Sequence, residues 1–410
     1  MKQARYKLFE VTSRSLFIIS ILYFFPAELA GKFGLVLLLF GFFAVFYGFE
    51  RYISLQRELV NESDQNVNIK LVSVLRFYIF NFLISAPFLT ISLFNYGVSS
   101  VMLIFFCLLI SFSEHISNAV YNISVVYNTY LIAMPVVIIK NLLMFLLGIL
   151  LMLFKQKDSI EIIIYCWAIL SLIQLLILSK WFLNSLNRFG IRFCGGDFHE
   201  MIGHYRIAKI NFLIGLISLL SLQCDRLIVG FSFDSYFSGI YFRHVSLISI
   251  LYQLFNILSY NRLVPKIFFE AKTQPFSHLR NIILTEFKKI TLLLFGLTIL
   301  LVIGYYFFLD NYFVFFGLDL YIILSLLAIF YIKIYADFQG MILNALNQEL
   351  KICVFQFVAM LCSVVLMLLL IPIFRVNGVL FASFTGTLLY AMIMYFYRPN
   401  LKLNITPHAT

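Results

Sequence analysis

Charge is the scarcest ingredient of this chain: Asp, Glu, Lys and Arg together make up 12% of its 410 residues. A soluble protein needs roughly 25% to cover its surface. With 62% of the residues hydrophobic, a lipid bilayer must be the solvent for most of the chain. The signatures of soluble chemistry are missing too. There is no GxxxxGK phosphate loop, no GxGxxG turn, and no DxD among the eight Asp residues, which argues against nucleotide-driven and metal–nucleotide-sugar chemistry. Cys107, Cys166, Cys194, Cys224, Cys353 and Cys362 show no CxxC spacing and mostly fall in apolar runs. They read as small buried hydrophobes, not as a disulfide framework or a metal site. His199 and His204 lack further Cys or His neighbours and read as a solvated loop pair. No cofactor and no metal follow from the sequence.

What is abundant is apolar runs long enough to cross roughly 30 Å of hydrocarbon. They cover 8–25, 31–49, 70–94, 97–119, 130–154, 160–183, 209–231, 237–260, 289–309, 318–336, 350–371 and 376–397. Backbone groups in lipid must pair within their own segment, so these are expected to be helices. The alternating segments of a β-barrel are absent. The first run follows a basic start, Met1 to Lys7, but lacks a small-residue cleavage site and is expected to be a retained span.

Placing the N-terminus in the cytoplasm puts 23 of the 30 Lys and Arg on that side, 4 on the other and 3 inside spans. This is a strong positive-inside signal. It predicts cytoplasmic termini in a bacterial inner membrane and explains the net charge of +11 without nucleic acid as a partner. Arg51, Arg76 and Lys333 count among the cytoplasmic charges, with Arg51 and Arg76 read as topology or headgroup residues.

Connections are short. The longest, 184–208 and 261–288, are cytoplasmic, and the periplasmic loops leave no room for an extramembrane catalytic domain. The fold class expected is an all-α membrane protein of about twelve transmembrane helices. A six-helix lobe over 1–183, a cytoplasmic linker over 184–208 and a second six-helix lobe over 209–410 would form parallel repeats. Both lobes open with a short hairpin, Pro26 to Gly34 in one and Phe233 to Gly239 in the other.

Charges within spans are costly and usually face a protein interior or a wet cavity. In the eighth span Arg243, Ser246, Ser249, Gln253, Asn256 and Tyr260 share one arc at 100° per residue. This polar stripe reads as a cavity lining, with interhelical hydrogen bonding in a packed bundle as the rival reading. Arg226 lies at a depth similar to that of Arg243 across a hairpin, beside Asp225, which could neutralise one of the two. Lys140 lies near the middle of its span, too deep to snorkel easily. Arg14 could pair with Glu10 or meet a ligand. Glu114 and Asp225 are candidate titrating groups for ion coupling. The interior charge is mainly basic (Arg14, Lys140, Arg226, Arg243) and suits an anionic ligand, because Arg forks onto phosphate oxygens.

Three stretches carry a family resemblance. They are Pro26 to Gly34 with Gly48-Phe49-Glu50-Arg51-Tyr52; Asp225-Arg226-Leu227-Ile228-Val229-Gly230 with Gly239-Ile240-Tyr241; and Leu343-Asn344-Ala345-Leu346-Asn347 with Ile371-Pro372 and Asn377-Gly378-Val379. In these the chain resembles the Wzx-type O-antigen and polysaccharide flippases of the multidrug/oligosaccharidyl-lipid/polysaccharide exporter superfamily. The resemblance implies two six-helix lobes around a central cavity. It also implies a role in lipopolysaccharide biosynthesis. Undecaprenyl-diphosphate-linked oligosaccharide would move to the periplasmic leaflet by alternating access, with a polysaccharide polymerase as a partner. The alternatives are an ion-coupled drug or small-molecule exporter of the same fold and, further off, a membrane-embedded polysaccharide polymerase.

Overall fold

The computed structural model describes residues 2–51, 55, 64–96, 98, 100–126, 130–154, 160–187, 198–255, 259, 261–271, 274–305, 319–346 and 348–397. These residues form thirteen helices and no strand: α1 (Lys2–Phe24), α2 (Ala27–Gly48), α3 (Asp64–Asn95), α4 (Val101–Val126), α5 (Tyr130–Leu153), α6 (Ile160–Asn187), α7 (Phe198–Ser232), α8 (Ser235–Phe255), α9 (Asn261–Glu270), α10 (Phe276–Gly304), α11 (Leu320–Ala345), α12 (Glu349–Phe374) and α13 (Val376–Phe396). Every expected span falls on a helix of its own, and α9 is the additional short one. Ten helices are long and apolar enough to cross a membrane. Neither α1, which carries Lys2, Arg5, Lys7, Glu10 and Arg14, nor the polar α8 is among the ten.

Helices outrun the apolar runs where polar sequence continues them. α7 begins at Phe198, α10 at Phe276, and α11 runs on to Ala345. A helix that leaves hydrocarbon keeps its internal hydrogen bonds, whereas hydropathy registers only the stretch lipid requires. The expected linker 184–208 is therefore helical at both ends.

The chain divides into two compact units, Met1–Ile250 and Leu251–Thr410. In the first, α1 packs along α5, α4 along α6, and α2 against α3 and α7. Its core is aromatic: Phe17, Phe33 and Phe40 surround Trp167 at ring distances of 5.4, 6.0 and 5.6 Å. A second core cluster gathers Leu71, Phe77, Tyr78, Ile116 and Leu178. In the second unit α13 packs on α11 and α12, and α10 on α11. There Leu279, Ile283, Ile334 and Phe338 are buried together. Large apolar side chains such as Phe88, Phe295 and Leu368 stand exposed, as expected where lipid is the solvent.

Two sequence expectations are corrected by this packing. His204 is not a solvated loop residue: it lies in α7 and is buried. Arg51 is 1% exposed, the largest fully enclosed side chain among the described residues. Its Nε donates to His204 Nδ1 at 3.2 Å, while His204 Nε2 pairs with Ser73 Oγ at 2.8 Å. The chain approaches Arg51 through two residues of positive φ, Phe49 at 47° and Glu50 at 50°, and Phe49 stacks on Phe212 of α7 at 4.3 Å. Lys333, counted with the cytoplasmic charges, lies in the middle of α11 and is 8% exposed.

Candidate functional site

The two hairpins noted in the sequence lie against each other. Pro26 separates α1 from α2 and has no N–H, so the carbonyl of Leu22 loses its ordinary i+4 donor. Arg243 of α8 supplies the missing donor. Its Nε donates to the Leu22 carbonyl and its Nη2 to the Phe25 carbonyl, both at 2.6 Å. Tyr23 answers by donating from its hydroxyl to the Arg243 carbonyl at 2.8 Å. Beyond this point α2 and α8 cross at glycines: a Cβ on Gly31 would stand 3.0 Å from the Gly239 nitrogen, and one on Gly34 would meet the Phe242 ring at 2.7 Å. The first turns of α8, Tyr241 to Val245, are buried on every side. Arg243 is thus held in a clasp between α8 and the α1–α2 connection.

Arg226 of α7 is placed differently. Its Nη2 donates to Ser249 Oγ at 2.9 Å, and its Nε is buried without a hydrogen-bond partner. Ser249 follows Arg243 by six residues, about 9 Å along a helix, so the two guanidiniums are engaged at different levels of α8. Asp225 forms no ion pair with either arginine in the described structure. It accepts the Tyr241 hydroxyl at 2.6 Å instead.

Lys140 is 6% exposed and paired with Glu114. The same Glu114 oxygen accepts from Trp167 Nε1 at 2.9 Å and Ser171 Oγ at 2.8 Å, so α4, α5 and α6 meet on one carboxylate. Next to Lys140, Asn141 Nδ2 donates to Ser13 Oγ of α1 at 3.4 Å. A buried charge with this many partners is compensated where it stands.

The remaining expected site residues scatter. Arg14 is exposed and makes no ion pair with Glu10. Ser246 is half-buried and Gln253 exposed. Asn256 and Tyr260 lie outside the described residues. The structure therefore brings together Arg226 with Ser249, Asp225 with Tyr241, and Lys140 with Glu114, and it ties Arg243 to backbone. Sequence reading passed over Asp337, which accepts the Tyr252 hydroxyl, and misjudged Arg51, whose partner His204 lies on a helix far along the chain.

No protein-family model matches the chain, and no curated protein matches it in sequence. Solved structures do match in fold. An inward-facing multidrug-resistance MATE family transporter of the MOP superfamily superposes with a TM-score of 0.70 at 10% identity, over 94% of this chain and 93% of that one. The lipid II flippase MurJ, in an inward closed conformation, gives 0.65 at 15% identity, over 95% of this chain and 86% of that one. The MATE multidrug transporter DinF-BH gives 0.55 at 17% identity, over 96% and 90%. The chain thus has the all-helical fold shared by these MATE transporters and MurJ.

Proposed function

We propose that this chain is a flippase of the Wzx kind, moving undecaprenyl-diphosphate-linked oligosaccharide across the bacterial inner membrane by alternating access. The observation that carries the reading is Arg226: a guanidinium inside a span, held by one serine and paired with no carboxylate among the described residues, since Asp225 is taken by Tyr241. An oxyanion is the ligand that such a donor takes best. The likeness to a lipid II flippase supports the same class of cargo. Lys140, paired with Glu114, and Arg243, bonded to two backbone carbonyls, hold the framework.

Alternating access in this reading requires the clasp between α8 and the α1–α2 connection to open. With both termini cytoplasmic, as the distribution of Lys and Arg favours, the Arg243 clasp lies toward the periplasm. Its opening is the step that releases cargo there. A polysaccharide polymerase consumes the product. The test is a strain lacking its flippase: wild type restores surface polysaccharide, whereas Arg226→Ala restores little although the variant reaches the membrane. Full restoration by Arg226→Ala defeats the reading.

A second reading stands beside it: an ion-coupled exporter of drugs or other small molecules. The likeness to MATE multidrug transporters and the carboxylates inside helices, Glu114 and Asp337, favour it. Altered drug sensitivity on deletion, with polysaccharide intact, selects this reading over the first.

A further inference from the structure

Lys333 occupies the middle of α11, and 92% of its side chain is enclosed, since it is 8% exposed. An ammonium carries three donors, and enclosing them without acceptors is strongly unfavourable. No hydrogen bond or ion pair reaches Lys333 in the described structure. The Tyr390 ring of α13 lies beside it, its centroid 5.8 Å from Nζ, at the outer edge of a cation–π contact. Gln356 of α12 fixes that ring by donating to the Tyr390 hydroxyl at 3.2 Å. Asp337, one turn along α11, is the obvious counter-charge, yet it makes no ion pair with Lys333 and accepts the Tyr252 hydroxyl instead.

We propose that Lys333 is the centre of an oxyanion-binding site in the second unit, framed by Tyr390, Gln356 and the Asp337–Tyr252 pair, and made for a phosphate or diphosphate group. Identifying that group with the diphosphate of a lipid-linked cargo rests on the flippase reading; the anion site itself does not. A ligand oxyanion satisfies the ammonium that the protein leaves without an acceptor, and Tyr252 keeps Asp337 from closing the site by pairing with it.

The experiment uses the purified full chain in detergent, titrated calorimetrically with inorganic diphosphate and with farnesyl diphosphate. Wild type binds at least one of them. Lys333→Met weakens that binding about tenfold or more while the unliganded protein keeps its melting temperature, and Lys333→Arg retains most of it. Tighter binding of the prenyl form marks a lipid-borne ligand, and equal binding a free anion. Undiminished binding by Lys333→Met overturns the proposal. So does recovery of binding in Lys333→Met/Asp337→Asn, which makes Lys333 a counter-charge for Asp337, and so does a wild type that binds neither probe. If Arg226→Gln loses binding and Lys333→Met does not, the site falls and the flippase reading stands. If Lys333→Met loses binding but the chain flips no lipid, the site stands and the flippase reading falls.

Discussion

Gly239 of α8 lies so close to α2 that a Cβ on it would overlap the Ala27 carbonyl and stand 2.9 Å from the Gly31 nitrogen. The obstruction is backbone on both sides, so no rotamer change can relieve it. Gly239→Ala is expected to destabilise the clasped form by about 1–3 kcal/mol. Gly203→Ala, at a position in α7 where a Cβ meets nothing within 4 Å, is expected to be neutral or slightly stabilising through helix propensity. Melting curves of the two purified variants check the difference.

Arg243 stands in for the amide that Pro26 lacks, so its removal strands two carbonyls rather than one side chain. Arg243→Met is expected to cost about 2–4 kcal/mol, the range for two charge-assisted bonds in a buried setting. Arg243→Lys is expected to recover less than half, because one ammonium cannot span both carbonyls as the planar fork does. Thermal unfolding of wild type and both variants measures this.

The Lys140–Glu114 pair is a framework element on which three helices converge. Lys140→Ala leaves a carboxylate in the interior and is expected to cost about 3–5 kcal/mol. Lys140→Met/Glu114→Gln is expected to regain most of that, since Trp167 and Ser171 can still donate to the amide oxygen. A double-mutant cycle read by melting temperature checks it.

Span existence was legible in the sequence because lipid imposes it residue by residue: all twelve apolar runs lie on helices. Helix ends were less so, because a helix outside lipid needs no apolar signal. The Arg243 clasp was half legible. Pro26 announces an unpaired carbonyl, but the donor comes from 221 residues away, and no local pattern reports that. In the polar arc of α8, Arg243 and Ser249 pair with neighbouring helices and Gln253 is exposed, distinctions that a helical wheel cannot draw. Arg51 was taken for a surface charge because its partners, Ser73 and His204, sit on helices far along the chain.

Reconstitution into liposomes gives the most direct measurement. Prenyl-diphosphate-linked oligosaccharide is placed in one leaflet and its appearance in the other is followed for wild type and for Arg226→Ala. The expected result is wild-type translocation well above that of empty liposomes and a fall of about tenfold or more in the variant. Translocation equal in the two proteins, or wild-type liposomes that move a cationic dye and no lipid-linked sugar, contradicts the assignment.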